Sequence, residues 1–222
     1  MVFNILRNKN NSLVVYAFEP DQKIFEVLEK NLSQFTDSVG SIYIEHCGVG
    51  QSLGTASLNT FLEGNDGMKT FFPGDSLEVA GQELVQIVNL DTYLGSYLNP
   101  SKSLRFLLKI DVEGSEFEVI LGGQRFIKEY QPIIIMEINS LLLSHAKTSS
   151  QMIFKFMASL GYSFFWLDER ENITKVDVNN SPPHEALLGS TSGANYLFIS
   201  EQSVDKNLVS ELGYTKDLNW IY

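Results

Sequence analysis

Short unbroken apolar runs recur along the chain, separated by segments whose apolar residues return every three or four positions. Leu13-Val14-Val15-Tyr16-Ala17-Phe18 is the first such run. Six consecutive apolar residues suit a strand buried on both faces, as in a parallel sheet. Glu19-Pro20-Asp21 ends it, and Asp21 is placed to cap a helix carrying Ile24, Phe25, Leu28, Leu32 and Phe35. Residues 42–46 read as a second strand. Residues 48–75 are rich in Gly, Ser, Thr and Asn, which predicts weak strands or long loops. Residues 84–88 form a strand candidate, with Asp91 as the cap of a short helix.

The strongest buried strand is Leu104-Arg105-Phe106-Leu107-Leu108-Lys109-Ile110. Asp111-Val112-Glu113-Gly114 turns it into a helix containing Phe117, Ile120 and Leu121, closed by Gly122-Gly123. Pro132-Ile133-Ile134-Ile135-Met136 is a further strand, with Glu137 at its end. Met152, Ile153, Phe156, Met157 and Leu160 mark an amphipathic helix that Gly161 stops. Residues 162–167 and 195–199 are the last two strands, with Pro182-Pro183 in the loop between them. Strands alternating with helices predict an α/β fold, with helices on both faces of a mostly parallel sheet. In such sheets ligands sit beyond the carboxyl ends of the strands, near a topological switch point. Glu19, Asp111 and Glu137 each end a candidate strand, and Glu113 follows Asp111 by two residues.

Composition narrows the possible functions. The chain has 222 residues, enough for one α/β domain with a substantial core, and a formal net charge of −11. So acidic a chain, with scattered Lys and Arg, offers neither a duplex nucleic-acid surface nor a patch for an anionic membrane. Its single cysteine, Cys47, excludes an internal disulfide and a Cys-based zinc cluster. His46, His145 and His184 lack metal-ligand spacing, and no metal is expected. The start of the chain has no secretory apolar region, and no run reaches the roughly 20 apolar residues that span a bilayer. A cytoplasmic protein is the expectation.

Several of these segments, in order and spacing, resemble the FkbM-type methyltransferases. They are Val15-Tyr16-Ala17-Phe18-Glu19-Pro20, Asn31, Asn89-Leu90-Asp91, Lys109-Ile110-Asp111-Val112-Glu113-Gly114-Ser115-Glu116, Pro132 to Glu137, and Ala194-Asn195-Tyr196-Leu197-Phe198. The resemblance covers roughly residues 13–200. It implies a Rossmann-like sheet, S-adenosylmethionine (SAM) as cofactor, and a small-molecule or glycan acceptor, often methylated on a hydroxyl of a sugar or other natural product. The family places an Asp-x-Gly-Ala-Asn-x-Gly strand and loop about a helix before the Phe-Glu-Pro block. That motif does not occur here. The chain therefore reads as a single methyltransferase domain over residues 1–222, truncated at its N-terminus and lacking the first strand. Phe3 to Leu6 would be the tail of the helix that follows the lost loop. The loss should leave neighbouring strands without a ladder partner.

Glu19 can accept hydrogen bonds from a ribose diol, because a carboxylate offers two acceptor oxygens; Pro20 follows it in the turn. Cys47, Gly48 and Val49 fall where the resemblance puts the adenine edge, with backbone rather than thiol making the contact. Gly48, Gly50 and Gly54 also mimic a dinucleotide loop, a weaker match without a clear helix after it. Asp111, Glu113 and Glu137 are the candidate catalytic acids. They would orient a hydroxyl, remove its proton, or with Glu137 hold a divalent cation; capping the helix dipole is the simpler alternative. His145, after the Glu137 strand, is either a base on the acceptor side or, the simpler reading, a loop histidine with no role. Phe71, Phe72 and Pro73 would line an acceptor pocket or form a packed loop. The alternative to an enzyme is a catalytically inactive, truncated methyltransferase-like binding domain.

Overall fold

The computed structural model describes residues 2–7, 13–33, 41–61, 69–74, 78–97, 105–168, 173–177, 179, 181–189 and 191–200. Strands β1 (Val2–Arg7), β2 (Leu13–Phe18) and β3 (Ser41–Glu45) come first, with α1 (Gln22–Leu32) between β2 and β3. Then follow β4 (Gly48–Val49), β5 (Gly54–Phe61), β6 (Val79–Val88), α2 (Leu90–Tyr97) and β7 (Arg105–Ile110). Helices α3 (Glu116–Gly122) and α4 (Gln124–Tyr130) lead to β8 (Ile133–Ile138), α5 (Ser140–His145), α6 (Ser150–Ser159) and β9 (Tyr162–Leu167). Strand β10 (Ile173–Lys175), α7 (Pro183–Leu188) and β11 (Ala194–Ser200) complete the described elements.

Eight strands form one sheet in the order β10-β9-β11-β8-β7-β1-β2-β3. Pairs β2–β3 and β7–β8 are parallel, and β9 runs with them because both it and β8 are antiparallel to β11. The expected α/β class is borne out. Alternation along the strands sends Phe106, Leu108, Ile110, Ile134, Met136, Tyr196 and Phe198 to one face. There they share a continuous core with Val119 and Ile120 of α3, Phe126 and Ile127 of α4, and Ile153, Phe154 and Met157 of α6. The other face carries Ile133, Phe165, Leu197 and Ile199. Apolar side chains on both faces are what the unbroken runs encode.

The expected gap in the ladder is filled. Val2–Arg7 is not a helix tail but a strand, lying antiparallel between β2 and β7; Val2 pairs with Phe18 and with Ile110. Five residues separate β1 from β2. A parallel connection needs a crossover of about a dozen residues or more, so only the antiparallel arrangement is open to this link. The buried edges of β2 and β7 thus find hydrogen-bond partners.

The described residues 48–61 and 69–74 are more regular than their composition suggests. Strands β4, β6 and β5 form a second, three-stranded sheet, in which β5 pairs antiparallel with β6 along its whole length. Asp91 does not cap α2. Asn89 does so, accepting from the Thr92 N–H at 2.8 Å, whereas Asp91 accepts from the N–H groups of Arg125 and Phe126 and so closes the first turn of α4. Pro183 opens a short helix rather than a loop, as suits a proline at the first helical position. Among the described residues no helix is long and apolar enough to cross a membrane.

Candidate active site

The carboxyl ends of β2, β3 and β7 meet around a cavity of about 230 Å³. Its lining includes Glu19 and Pro20 after β2, Cys47, Gly48 and Val49 beyond β3, and Asp111 and Glu113 after β7. All five cofactor candidates and two of the three catalytic candidates from the sequence therefore share one space. Glu137 lies one strand further on, in β8, and interacts with Asp111. The dinucleotide-loop alternative finds no helix: Gly54 begins β5.

The Glu19 turn is fixed from several directions. Its backbone N–H donates to the Glu45 carbonyl at 3.0 Å, and one carboxylate oxygen accepts from the Asp21 N–H at 2.9 Å. Asp21 caps α1 by accepting from the Ile24 N–H at 2.8 Å, as its position predicted, and pairs with Lys69. His46 contacts the Pro20 carbonyl through Nε2 at 3.1 Å. Burial pushes the Glu19 carboxyl above its ordinary pKa, against the pull of the Asp21 N–H. Burial also pushes Asp21 upward, but the Lys69 ammonium and the Ile24 N–H prevail and hold it below its ordinary value. The Cys47 thiol is pushed up to about 12 by burial and by Glu45, so it is no nucleophile at neutral pH.

The Asp111 side of the cavity is built on a tight turn. Glu113 has φ 50° and Gly114 φ 100°, both in the left-handed region. A non-glycine residue there costs on the order of 1 kcal/mol and persists only where its surroundings enforce it. Here the Thr70 hydroxyl donates to the Glu113 carbonyl at 2.6 Å, and the Glu116 carboxylate accepts from the Gly114 N–H at 3.0 Å. A Cβ on Gly114 would also lie 2.9 Å from the Leu142 carbonyl oxygen. Burial raises the pKa of Glu113, and Glu137 and Asp111 raise it further; Glu137 is raised by burial and then by Asp111. Lys109 bonds Asn195 at 2.7 Å and lies 3.6 Å from Asp111, a structural charge at the strand end. Among the described residues no group of three or more His, Cys, Asp or Glu is arranged to hold a metal ion.

Residues 69–74 run across this rim, and sequence reasoning gave Lys69 and Thr70 no role. Lys69 reaches Asp21, and Thr70 reaches Glu113 and bridges to Asn59 of β5. Phe71 packs against Gly48, and Gly74 lies beneath the His145 ring. Asp21 and Glu113 lie more than 40 residues from Lys69 and Thr70 along the chain, so no local pattern announces these two contacts. Phe71 belongs to the same cavity as Glu19.

The chain is similar in sequence to known methyltransferases. The family model described as "Methyltransferase FkbM domain" matches residues 2–164. Methyltransferase sdnD of Sordaria araneosa is 29% identical over 140 residues, covering 53% of this chain and 54% of that protein. The chain thus spans about half the length of that curated relative. The crystal structure of Methyltransferase FkbM from Methylobacillus flagellatus KT superposes with a TM-score of 0.48 at 17% identity, covering 82% of this chain and 36% of that one. With the family model matching most of its length, the chain belongs to the FkbM methyltransferase domain family.

Proposed function

We propose that this chain binds SAM and transfers its methyl group to oxygen, on a hydroxyl of a sugar or other small natural product. The observation that carries the reading is the meeting of Glu19 with the Asp111–Glu113 turn in one cavity. The lining suits the adenosine part of SAM. Glu19 is held rigidly at a strand end, with acceptor capacity beyond its bond to Asp21. Gly48 lines the cavity without a side chain, and Ile87 and Phe71 fill the space a Cβ would take, 2.7 and 2.9 Å away.

Bound SAM supplies an electrophilic methyl on a sulfonium. Glu19 would accept both ribose hydroxyls and fix the nucleoside along the rim. Asp111 and Glu113 would align the acceptor oxygen for in-line attack, where correct orientation contributes much of the rate. Glu113 can take up the acceptor's proton, its pKa raised by burial and by Glu137 and Asp111.

Two substitutions test these roles. Glu19→Ala is expected to weaken SAM binding at least tenfold, the scale of a lost hydrogen bond to a charged group, roughly 1.5–3 kcal/mol. Calorimetric affinity equal to wild type would remove Glu19 from the site. Asp111→Asn is expected to lower turnover about tenfold while SAM affinity changes less. Equal loss of both would make Asp111 a structural cap. A wild-type chain that binds no SAM would instead favour the inactive binding domain.

A further inference from the structure

Phe71 stands out among the residues lining the cavity. Its ring atoms Cζ and Cε2 lie 2.9 and 3.3 Å from where a Cβ on Gly48 would sit, so the ring rests against bare backbone. It is only half-buried, and among the described residues it makes no ring pair. Phe18, the other aromatic in the lining, is 1% exposed and packs edge-on against Tyr93. Phe71 is therefore the aromatic surface open to the cavity. The remaining apolar lining is aliphatic: Ile24, Val49 and Leu58 among others.

The ring is also held in advance. Thr70, 1% exposed, accepts from the Phe72 N–H at 3.1 Å while donating to the Glu113 carbonyl. Its backbone bridges to Asn59, and the preceding Lys69 is paired with Asp21. Phe71 thus sits at the tip of a turn clamped on both sides. Holding it there before a ligand arrives spares the ordering cost of binding. A flat hydrophobic group sharing a cavity with a candidate diol-binding carboxylate, and resting beside the Gly48 backbone, suits a nucleoside: base on the ring, ribose on Glu19.

We propose that Phe71 is the stacking wall for the purine base of the bound nucleoside, a reading that rests on the cavity being the SAM site. Stacking of this kind tolerates any aromatic ring and is lost with an aliphatic one.

The test uses the full chain and two probes, SAM and adenosine, titrated by calorimetry into wild type, Phe71→Leu and Phe71→Trp. Phe71→Leu is expected to weaken both ligands by the same factor, about tenfold. Phe71→Trp is expected to keep both affinities and to add a tryptophan emission, over that of Trp166 and Trp220, whose quenching by adenosine wild type does not show. Unchanged affinity in Phe71→Leu, or loss for SAM but not for adenosine, overturns the assignment while leaving the SAM site standing. Wild type binding neither probe removes the SAM reading and this proposal with it. Should the leucine variant fail to fold, the tryptophan variant decides: saturation with adenosine and no quenching overturns the proposal.

Discussion

Gly122→Ala is expected to destabilise the protein by about 3 kcal/mol, although alanine normally favours a helix over glycine by about 1 kcal/mol. Gly122 is the last residue of α3, and a Cβ there would fall inside the Gly50 carbonyl oxygen, with Asn89 3.1 Å away. The obstacle is backbone, and it cannot swing aside as a side chain would. Gly50 is itself held, its N–H donating to the Val88 carbonyl at 2.9 Å. Relief must come from moving α3, which is welded to the core through Val119 and Ile120, each 0% exposed. For a chain of this length the loss corresponds to a melting temperature roughly 6–12 °C lower. A melting temperature equal to or above wild type would show that the α3–Gly50 contact is looser than described. Because Gly50 follows Val49 of the cavity lining, the variant that folds should also bind SAM more weakly.

The second large effect concerns pH. Glu116 is 2% exposed, and burial pushes its pKa from 4.5 to about 7 despite the Gly114 N–H it accepts. In the folded chain it holds its proton at pH 5.5, where the unfolded chain has released it. The unfolded state then binds fewer protons, so stability from this group falls as pH rises from 4.5 towards 7 and stays low above. The size, two and a half pH units at about 1.4 kcal/mol each, is on the order of 3 kcal/mol. Glu116→Gln keeps the shape and an acceptor for Gly114 but removes the titration. Chemical denaturation at pH 4.5 and pH 8 should show glutamine gaining on glutamate by roughly that amount at the higher pH. A difference between the two proteins that does not change with pH would refute the burial of a protonated carboxyl.

The parts of this molecule that could be read from its sequence share a cause. Strands β2, β7 and β8 are buried on both faces, and each announces itself as an unbroken apolar run. Asp21, beginning a helix after a strand, declares its capping role locally. The second sheet lacks such a signal. In β6 only Val85 is buried, and most of its other side chains face solvent or are half-covered, so only its last five residues could be marked. β1 was hidden because its partners are set by the brevity of its link to β2 and by vacant edges elsewhere in the sheet. The carboxylates of the site were legible since they sit at strand ends. Lys69, Thr70 and Phe71 were not, because their functions come from contacts made across the rim. Glu116 could be located on α3, but its burial depends on how the turn before it folds back.

The direction of β1 has a practical corollary. Since Val2 pairs with Phe18 and Ile110, anything fused ahead of it leaves the sheet beside Glu19 and Asp111, not at the far end by Arg7. An affinity tag at the amino end would crowd the mouth of the cavity and depress ligand titrations for reasons unrelated to the residues under study. Purification handles are better cleaved, or moved to the other end of the chain, before any of these measurements begin.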